Sequence, residues 1–161
     1  MMSKMKSTVQ LAKHLREVFT GGNWTVTNLE DVLKDVSVEE ALTKVFGLNS
    51  IASLVYHIDY YFKPVLGVLK GEALTGNDKF SFDLPPITTE SEWKALVKKA
   101  FDDAEALAIQ IEMLDDEQLV EIFADPKFGI YYRNLLGIIE HTHYHLGQIA
   151  LIKKILRSKS E

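Results

Sequence analysis

Apolar residues recur along the chain at intervals of three and four positions, the spacing that predicts amphipathic α-helices. The first segment of this kind covers residues 3–19 and ends at the turn formed by residues 20–23. A second segment begins at Asn49 or Ser50 and ends at Gly71. Pro64 lies inside the second segment, and because proline removes a backbone donor and clashes with the preceding turn, this helix is expected to kink there.

Two further long helices are predicted in the second half of the chain. The third begins at the capping box Thr89-x-x-Glu92 and continues to about residue 111, before the acidic pair at 115–116. The fourth runs from about residue 129 to residue 156. No alternation of apolar and polar residues lasts long enough to predict a strand. The predicted fold class is therefore all-α, a four-helix bundle with long crossover connections, and residues 1–161 are expected to form a single domain.

The connections between these helices are long. Residues 24–48 carry two capping boxes, Thr27-x-x-Glu30 and Ser37-x-x-Glu40, each of which predicts a short helical turn. Residues 71–88 are rich in glycine and proline and are predicted to be a loop. Because the connection after the first helix is long enough to cross a bundle, a simple up-down order of helices is not required.

Composition limits the chemistry of any site. The chain is 47% hydrophobic and 25% charged, the balance of a globular protein. It contains no cysteine, which excludes disulfides, iron–sulfur clusters, thiolate zinc sites and a cysteine nucleophile. A metal site in this chain must therefore use imidazole, carboxylate or water ligands.

Charge and hydropathy favour a cytoplasmic protein that binds neither nucleic acid nor membranes. The net charge is -5, and no basic face is evident of the kind that neutralises phosphates. The late basic cluster is expected to complement the dipole of the last helix at its C-terminus. No apolar segment follows the charged start as in a secretory signal, and none approaches the roughly 20 residues of a membrane span. That cluster consists of Lys153, Lys154, Arg157 and Lys159.

Three of the five histidines fall within five residues on the fourth predicted helix. His141 and His145 are four positions apart, so at about 100° per residue they lie roughly 40° from each other on one face. His143 lies roughly 160–200° from both and cannot share that face. His143 is expected to be exposed or at a subunit contact, and His14 to be exposed.

His57, His141 and His145 are the predicted metal ligands. Each lies on or beside an apolar stripe of its helix, where an unpartnered imidazole is costly to bury, and a shared metal would satisfy all three. The alternative for any one of them is a core histidine that is hydrogen-bonded to a neighbour. None of the three has a glutamate three positions before it, as the Glu-x-x-His pattern of di-iron bundles requires, and His-Glu-x-x-His is absent from the sequence. Three protein ligands leave a position for water or substrate, the arrangement of catalytic sites.

Two segments resemble the DinB/YfiT-like superfamily. Residues 141–149 read HTHYHLGQI, similar to that family's pattern of histidine, three residues, histidine, arginine or leucine, then Gly-Gln-Ile. Residues 50–58 read SIASLVYHI, similar to the family's second helix with its first metal-binding histidine. The Gly22-Asn23-Trp24 turn also fits, so the resemblance covers essentially the whole chain.

The resemblance implies a divalent metal, usually zinc or nickel, held by His57, His141 and His145. Characterised members of the family include thiol-dependent S-transferases and a thiol-dependent maleylpyruvate isomerase. The residue before the second histidine is often asparagine in the family and is Glu140 here, so any role of that asparagine is not carried over. A homodimer is expected from the resemblance and from apolar residues beyond a single core stripe. These residues are Ile130, Leu136, Leu151 and Ile155.

Two classes of function follow. The first is an enzyme that acts on a small-molecule substrate, either by metal-dependent transfer of a low-molecular-weight thiol to an electrophile or by metal-assisted hydrolysis. The second is a non-enzymatic metal-binding protein of stress response, sensing or scaffolding. The aromatic residues at 60–62 are interpreted as core, with a pocket mouth as the alternative. No general base stands out among the residues near the ligands, so the catalytic residues stay unknown. The residues considered are Tyr56, Asp59, Tyr60, Glu140 and Tyr144.

Overall fold

A computed structural model describes residues 6–158, and the prediction of an all-α fold is confirmed for them. Within this range there is no β-strand, and Ile122 and Ile130 form an isolated antiparallel bridge. Short 3₁₀ turns occupy Asp78–Phe80, Asp116–Val120 and Pro126–Phe128. The α-helices are α1 (Ser7–Thr20), α2 (Leu29–Leu33), α3 (Val38–Leu42), α4 (Ile51–Tyr60), α5 (Phe62–Leu69), α6 (Glu90–Met113) and α7 (Tyr131–Ser158).

Some expectations from the sequence concern terminal residues that the structure does not describe. The predicted start of the first helix at residue 3 lies outside the described residues, and so does the positively charged start Met1 to Lys6 except for Lys6 itself. Lys159 of the basic cluster also lies outside them. Among the helices of residues 6–158, none combines the length and apolar character that crossing a membrane requires.

The predicted kink at Pro64 is confirmed and divides the second long helix into α4 and α5. The break falls at Tyr61, the residue between the two helices. Pro64 has no N–H to donate to the carbonyl of Tyr60, and its ring would clash with that carbonyl in a continuous helix. The proline therefore tilts the chain three residues before its own position.

Side-chain caps fix where the helices begin. The capping boxes at Ser37 and Thr89 are both present, as predicted, and they start α3 and α6. The box predicted at Thr27 is wrong, because α2 begins one residue later with Asn28 as its cap. The Asn28 side chain accepts a hydrogen bond from the backbone N–H of Asp31. Asparagine is at least as good an N-cap as threonine, which explains the shift by one position.

The long helices pack so that α4 lies against α7. Helix α6 contacts α1, α4 and α5, and helix α7 contacts α1 and α4. Between them lies a core of fully buried apolar side chains, in which each helix contributes the stripe that its sequence predicts. Contact between α4 and α7 brings the region of His57 to the region of His141. The core includes Leu15, Leu54, Leu107, Leu135 and Ile149.

The end of α7 is held by specific ion pairs and a hydrogen bond to the backbone. The Lys153 ammonium donates to the carbonyl of Val32 at 2.6 Å and to the Asp35 carboxylate at 2.5 Å. Arg157 pairs with Asp35 at 2.8 Å and with Glu40 at 2.9 Å. The late basic residues therefore attach α7 to α2 and α3, a role that their position near a helix end does not predict.

Candidate metal centre

Three histidines converge where α4 meets α7. The Nε2 atom of His141 lies 3.1 Å from Nε2 of His57 and 3.1 Å from Nε2 of His145. One nitrogen of each ring lies within 4.8 Å of the other two. His57 comes from α4 and the other two come from consecutive turns of α7, so the site spans two packed helices. The sequence predicts this convergence, and the structure agrees with it.

The outward nitrogens of two of these rings are held by fixed acceptors. Nδ1 of His57 lies 3.2 Å from the backbone carbonyl of Ser81, and Nδ1 of His145 lies 2.8 Å from the side-chain oxygen of Gln148. Because both partners accept hydrogen bonds, both Nδ1 atoms carry the proton. Each Nε2 then presents its lone pair to the centre of the cluster, which is the tautomer that binds a metal.

Without a cation, hydrogen bonds among the three Nε2 atoms cannot give each of them a partner. A neutral imidazole carries one N–H, and those of His57 and His145 are used on the outside. His141 can donate to only one of its two neighbours, and its Nδ1 atom is buried with no hydrogen-bond partner among residues 6–158. A divalent cation would accept all three lone pairs. Tetrahedral zinc with bonds of 2.0–2.1 Å needs ligand nitrogens about 3.3 Å apart, and the two separations from Nε2 of His141 are each 3.1 Å. Three imidazoles are also a donor set that suits this ion.

Burial keeps these imidazoles in the neutral form. It lowers the pKa of both His57 and His145 below the ordinary value of 6.5. Burial, together with repulsion from the other two rings, lowers the pKa of His141 to about 4. Since only neutral imidazole binds a metal, the three rings are ready to do so at neutral pH.

Aromatic rings enclose one side of the cluster. Phe82 stacks on the His57 ring with centroids 3.8 Å apart and planes at 9°. Tyr61 meets the edges of His57 and His141 at centroid distances of 5.2 and 4.9 Å. His57 and His145 are each 7% exposed, whereas His141 is only partly buried. The accessible side of the cluster is therefore the side of His141.

A cavity of about 650 Å³ opens beside His141. Its volume lies in the range of small-molecule sites in proteins. Tyr60 and Tyr61 line this cavity, while Phe62 is fully buried in the core. The assignment of the 60–62 run to the core therefore holds for Phe62 and in part for Tyr61, which packs against the core while it also lines the cavity. Tyr60 fits the alternative of a pocket mouth.

The residues considered as possible general bases differ in their surroundings. Asp59 is buried on the opposite side of α4 with its carboxylate 2.5 Å from the Lys99 ammonium, and burial raises its pKa to about 6. Tyr144 is 65% exposed, although its ring lies 4.9 Å from that of His145. The Tyr56 ring lies beside that of Tyr60, with centroids 6.4 Å apart and planes tilted by 44°. Glu140 lines the cavity.

His143 and His14 differ from their expected exposure. Both side chains are partly buried, because they lie against each other between α7 and α1. His143 is therefore excluded from the cluster, as its position on the helix predicts. Its contact with α1 lies within the chain and accounts for its burial.

Comparison with known proteins identifies the family of this chain. No curated protein and no solved structure is significantly similar to the chain. The family model of the DinB superfamily matches residues 22–149, a segment that includes His57, His141 and His145. This match covers well over half of the sequence. The chain therefore belongs to the DinB superfamily.

Proposed function

We propose that this protein binds one divalent metal ion, zinc or nickel, through His57, His141 and His145 and acts as an enzyme on a small molecule. The observation that carries the proposal is the convergence of three Nε2 atoms beside a cavity that His141 lines. Imidazole ligands suit both metals. With three protein ligands, the ion keeps at least one position for an exchangeable ligand.

Thiol transfer to an electrophilic small molecule is the reaction that this site supports best, with metal-assisted hydrolysis as its close variant. A bound ion would supply a positive charge that favours the ionised form of a coordinated thiol or water. The thiol sulfur would form a bond to an electrophilic carbon, the leaving group would depart with its electron pair, and the thiol proton would pass to solvent. This route needs no protein nucleophile, which suits a chain without cysteine.

The chain's own residues would prepare the site in three ways. Ser81 and Gln148 hold the tautomers of two ligands through their Nδ1 atoms. Phe82 and Tyr61 cover the rings and limit access of water from that side. The cavity beside His141 offers room for the substrate body.

We further propose that the long helices form a four-helix bundle with crossover connections, in one domain over residues 1–161. The members would be α1, the kinked pair α4–α5, α6 and α7. The contacts of α6 with α1, α4 and α5, and of α7 with α1 and α4, support this arrangement. The connections at residues 21–50 and 70–89 are long enough to cross it.

A transfer assay tests the enzymatic part of the proposal. The metal-loaded protein is incubated with a low-molecular-weight thiol and a panel of chlorinated and epoxide electrophiles, and the thioether products are measured by mass spectrometry. We expect turnover that chelation abolishes, that is absent in His141→Ala and that is retained in His143→Ala. Stoichiometric metal without turnover on any thiol or hydrolysable substrate would instead favour the non-enzymatic sensor or scaffold.

A further inference from the structure

One face of α7 forms a straight path along the cavity. Arg133, Gly137 and His141 follow one another at intervals of four residues and all line the cavity. Residues at this spacing lie one above the other on a helix. At a rise of 1.5 Å per residue, Arg133 and His141 stand about 12 Å apart along the axis. The cavity is therefore long enough for an extended ligand between these two side chains.

Gly137 leaves the middle of this path open. Glycine weakens a helix interior relative to alanine, so its presence there has a cost in stability. A Cβ atom at Gly137 would meet no atom within 4 Å, and no packing in the described residues requires glycine at this position. What the missing side chain provides is space on the floor of the cavity.

The two ends of the cavity differ in the charge of the side chains that line them. Asp78 and Glu140 lie at the histidine end: Asp78 accepts a hydrogen bond from Tyr61, whose ring contacts His141, and Glu140 precedes that histidine in the chain. Arg133 lies at the other end and is the only cationic side chain among the lining residues. In the metal-free protein, an anionic group on a ligand is repelled by these two carboxylates and attracted to Arg133. A metal ion at the histidines would add a second cationic point, at which a thiolate could bind.

The Arg133 guanidinium is held in place by a hydrogen bond, but it forms no ion pair with the described residues. One of its nitrogens donates to the carbonyl of Phe128 at 3.1 Å, which fixes the side chain over the turn before α7. Among residues 6–158, no carboxylate lies within 4.0 Å of it, in contrast to Arg16 and Arg157. A guanidinium carries five N–H donors in a planar fork that suits a carboxylate. The remaining donors are available to a ligand.

We propose that the cavity binds an elongated small molecule with a thiol at one end and a carboxylate at the other. Arg133 anchors the carboxylate, Gly137 leaves room for the apolar middle, and the thiol lies beside the three histidines. This inference rests on the proposed function for the thiol end. The carboxylate end rests on Arg133 and the shape of the cavity.

Two thiols of equal length, one ending in a carboxylate and the other in a hydroxyl group, test whether Arg133 binds the carboxylate. The protein is loaded with cobalt(II), and mercaptooctanoate or mercaptooctanol is titrated while the sulfur-to-cobalt absorption band is recorded. We expect the acid to bind about tenfold more tightly than the alcohol, the size of one charge-assisted hydrogen bond. Arg133→Gln should remove this difference. Equal affinity in the wild type, or a preference that survives Arg133→Gln, would overturn the anchor.

The role of Gly137 has a matched control in the same helix. Gly147 is exposed, lies outside the cavity lining, and a Cβ there would also meet no atom within 4 Å. Gly137→Leu should weaken mercaptooctanoate at least tenfold and leave the short thiol mercaptoethanol unaffected, while Gly147→Leu should change neither. Equal effects of the two substitutions would contradict a cavity floor at Gly137.

A second titration separates failure of the anchor from failure of the metal site. If no thiol, including mercaptoethanol, produces the absorption band, the proposed thiol chemistry fails. Octanoate is then titrated into the metal-free protein by calorimetry. Binding that Arg133→Gln weakens about tenfold supports the carboxylate anchor on its own, and absence of octanoate binding overturns it.

Discussion

His14 and His143 stack on each other with ring centroids 5.8 Å apart and planes at 29°. His143 is thereby held on the α1 side of α7, and its Nδ1 atom lies 3.3 Å from the carbonyl of Ile139. The middle member of the histidine triplet faces away from the cluster that its two neighbours form. Helical geometry, and not the density of histidines in the sequence, determines which rings can share a metal.

Gln148 is expected to set the metal affinity through His145. Gln148→Ala removes the acceptor that lies 2.8 Å from Nδ1 of His145, so the ring loses its fixed tautomer and orientation. We expect zinc affinity to fall about 10–100-fold, as for other partners of metal-bound histidines. Competition with a chromophoric chelator measures this change. Gln110→Ala on α6 serves as the control, and an unchanged affinity in Gln148→Ala would show that this contact has no such role.

Acid should destabilise the metal-free protein through the histidines. Folding lowers the pKa of His141 to about 4 from the ordinary value of 6.5, so the unfolded chain binds more protons between these values. The stability that the neutral ring contributes is complete above pH 6.5 and is lost as the pH falls towards 4. After allowance for partial exposure we expect a loss on the order of 2 kcal/mol.

Denaturant unfolding at a series of pH values measures this loss in the presence of a chelator. His141→Gln should flatten the acid limb of the curve, because glutamine does not titrate. The same acid limb in the wild type and in His141→Gln would mean that His141 is not the source of the pH dependence.

Asp59 should give the opposite dependence of folding stability on pH. Burial raises its pKa from 3.8 to about 6, so the folded protein binds more protons between these values and stability from this residue falls as the pH rises. Asp59→Asn should therefore stabilise the protein by up to about 3 kcal/mol at pH 8, with a gain that shrinks towards pH 4. Lys99 keeps a partner in the variant, since Asp103 lies 2.6 Å from it.

Thermal unfolding of the two proteins at pH 8 and pH 4.5 checks the sign of this effect. A variant that is less stable than the wild type at pH 8 would show that the ion pair with Lys99 outweighs the cost of burying the carboxylate.

Much of the helical framework can be predicted from local pattern. Apolar periodicity predicts the helices, and the boxes at Ser37 and Thr89 predict two of their starts. These features depend on contacts within a few residues of each other. The cap of α2 could not be assigned in the same way, because Thr27 and Asn28 are both good N-caps and only the fold selects between them.

The ligands could also be predicted, but most of their surroundings could not. The faces of His141 and His145 follow from their spacing within one helix. Ser81 and Phe82 contact His57 only because the loop at 71–88 returns across α4, which is a property of the whole fold. Gln148 is different, since its position three residues after His145 is a signal that helical spacing provides.

Homodimer formation stays a prediction. Of the apolar residues that motivate it, Leu151 is 55% exposed on α7, whereas Ile155 packs against the core. Leu151→Lys should shift the protein towards the monomer in multi-angle light scattering at micromolar concentration, because a lysine on each side of a symmetric interface adds repulsion. A wild type that is strictly monomeric would remove the prediction.

The metal content of three proteins tests the central claim most directly. Wild type, His143→Ala and His145→Ala are loaded with zinc, dialysed and measured by elemental analysis, while circular dichroism monitors the helical content. The account predicts one ion per chain in wild type and His143→Ala, almost none in His145→Ala, and a folded protein in every case. The fold should persist without metal, because a chain of 161 residues buries enough apolar surface for independent stability. Stoichiometric zinc in His145→Ala, or loss of zinc in His143→Ala, would contradict the three-histidine site.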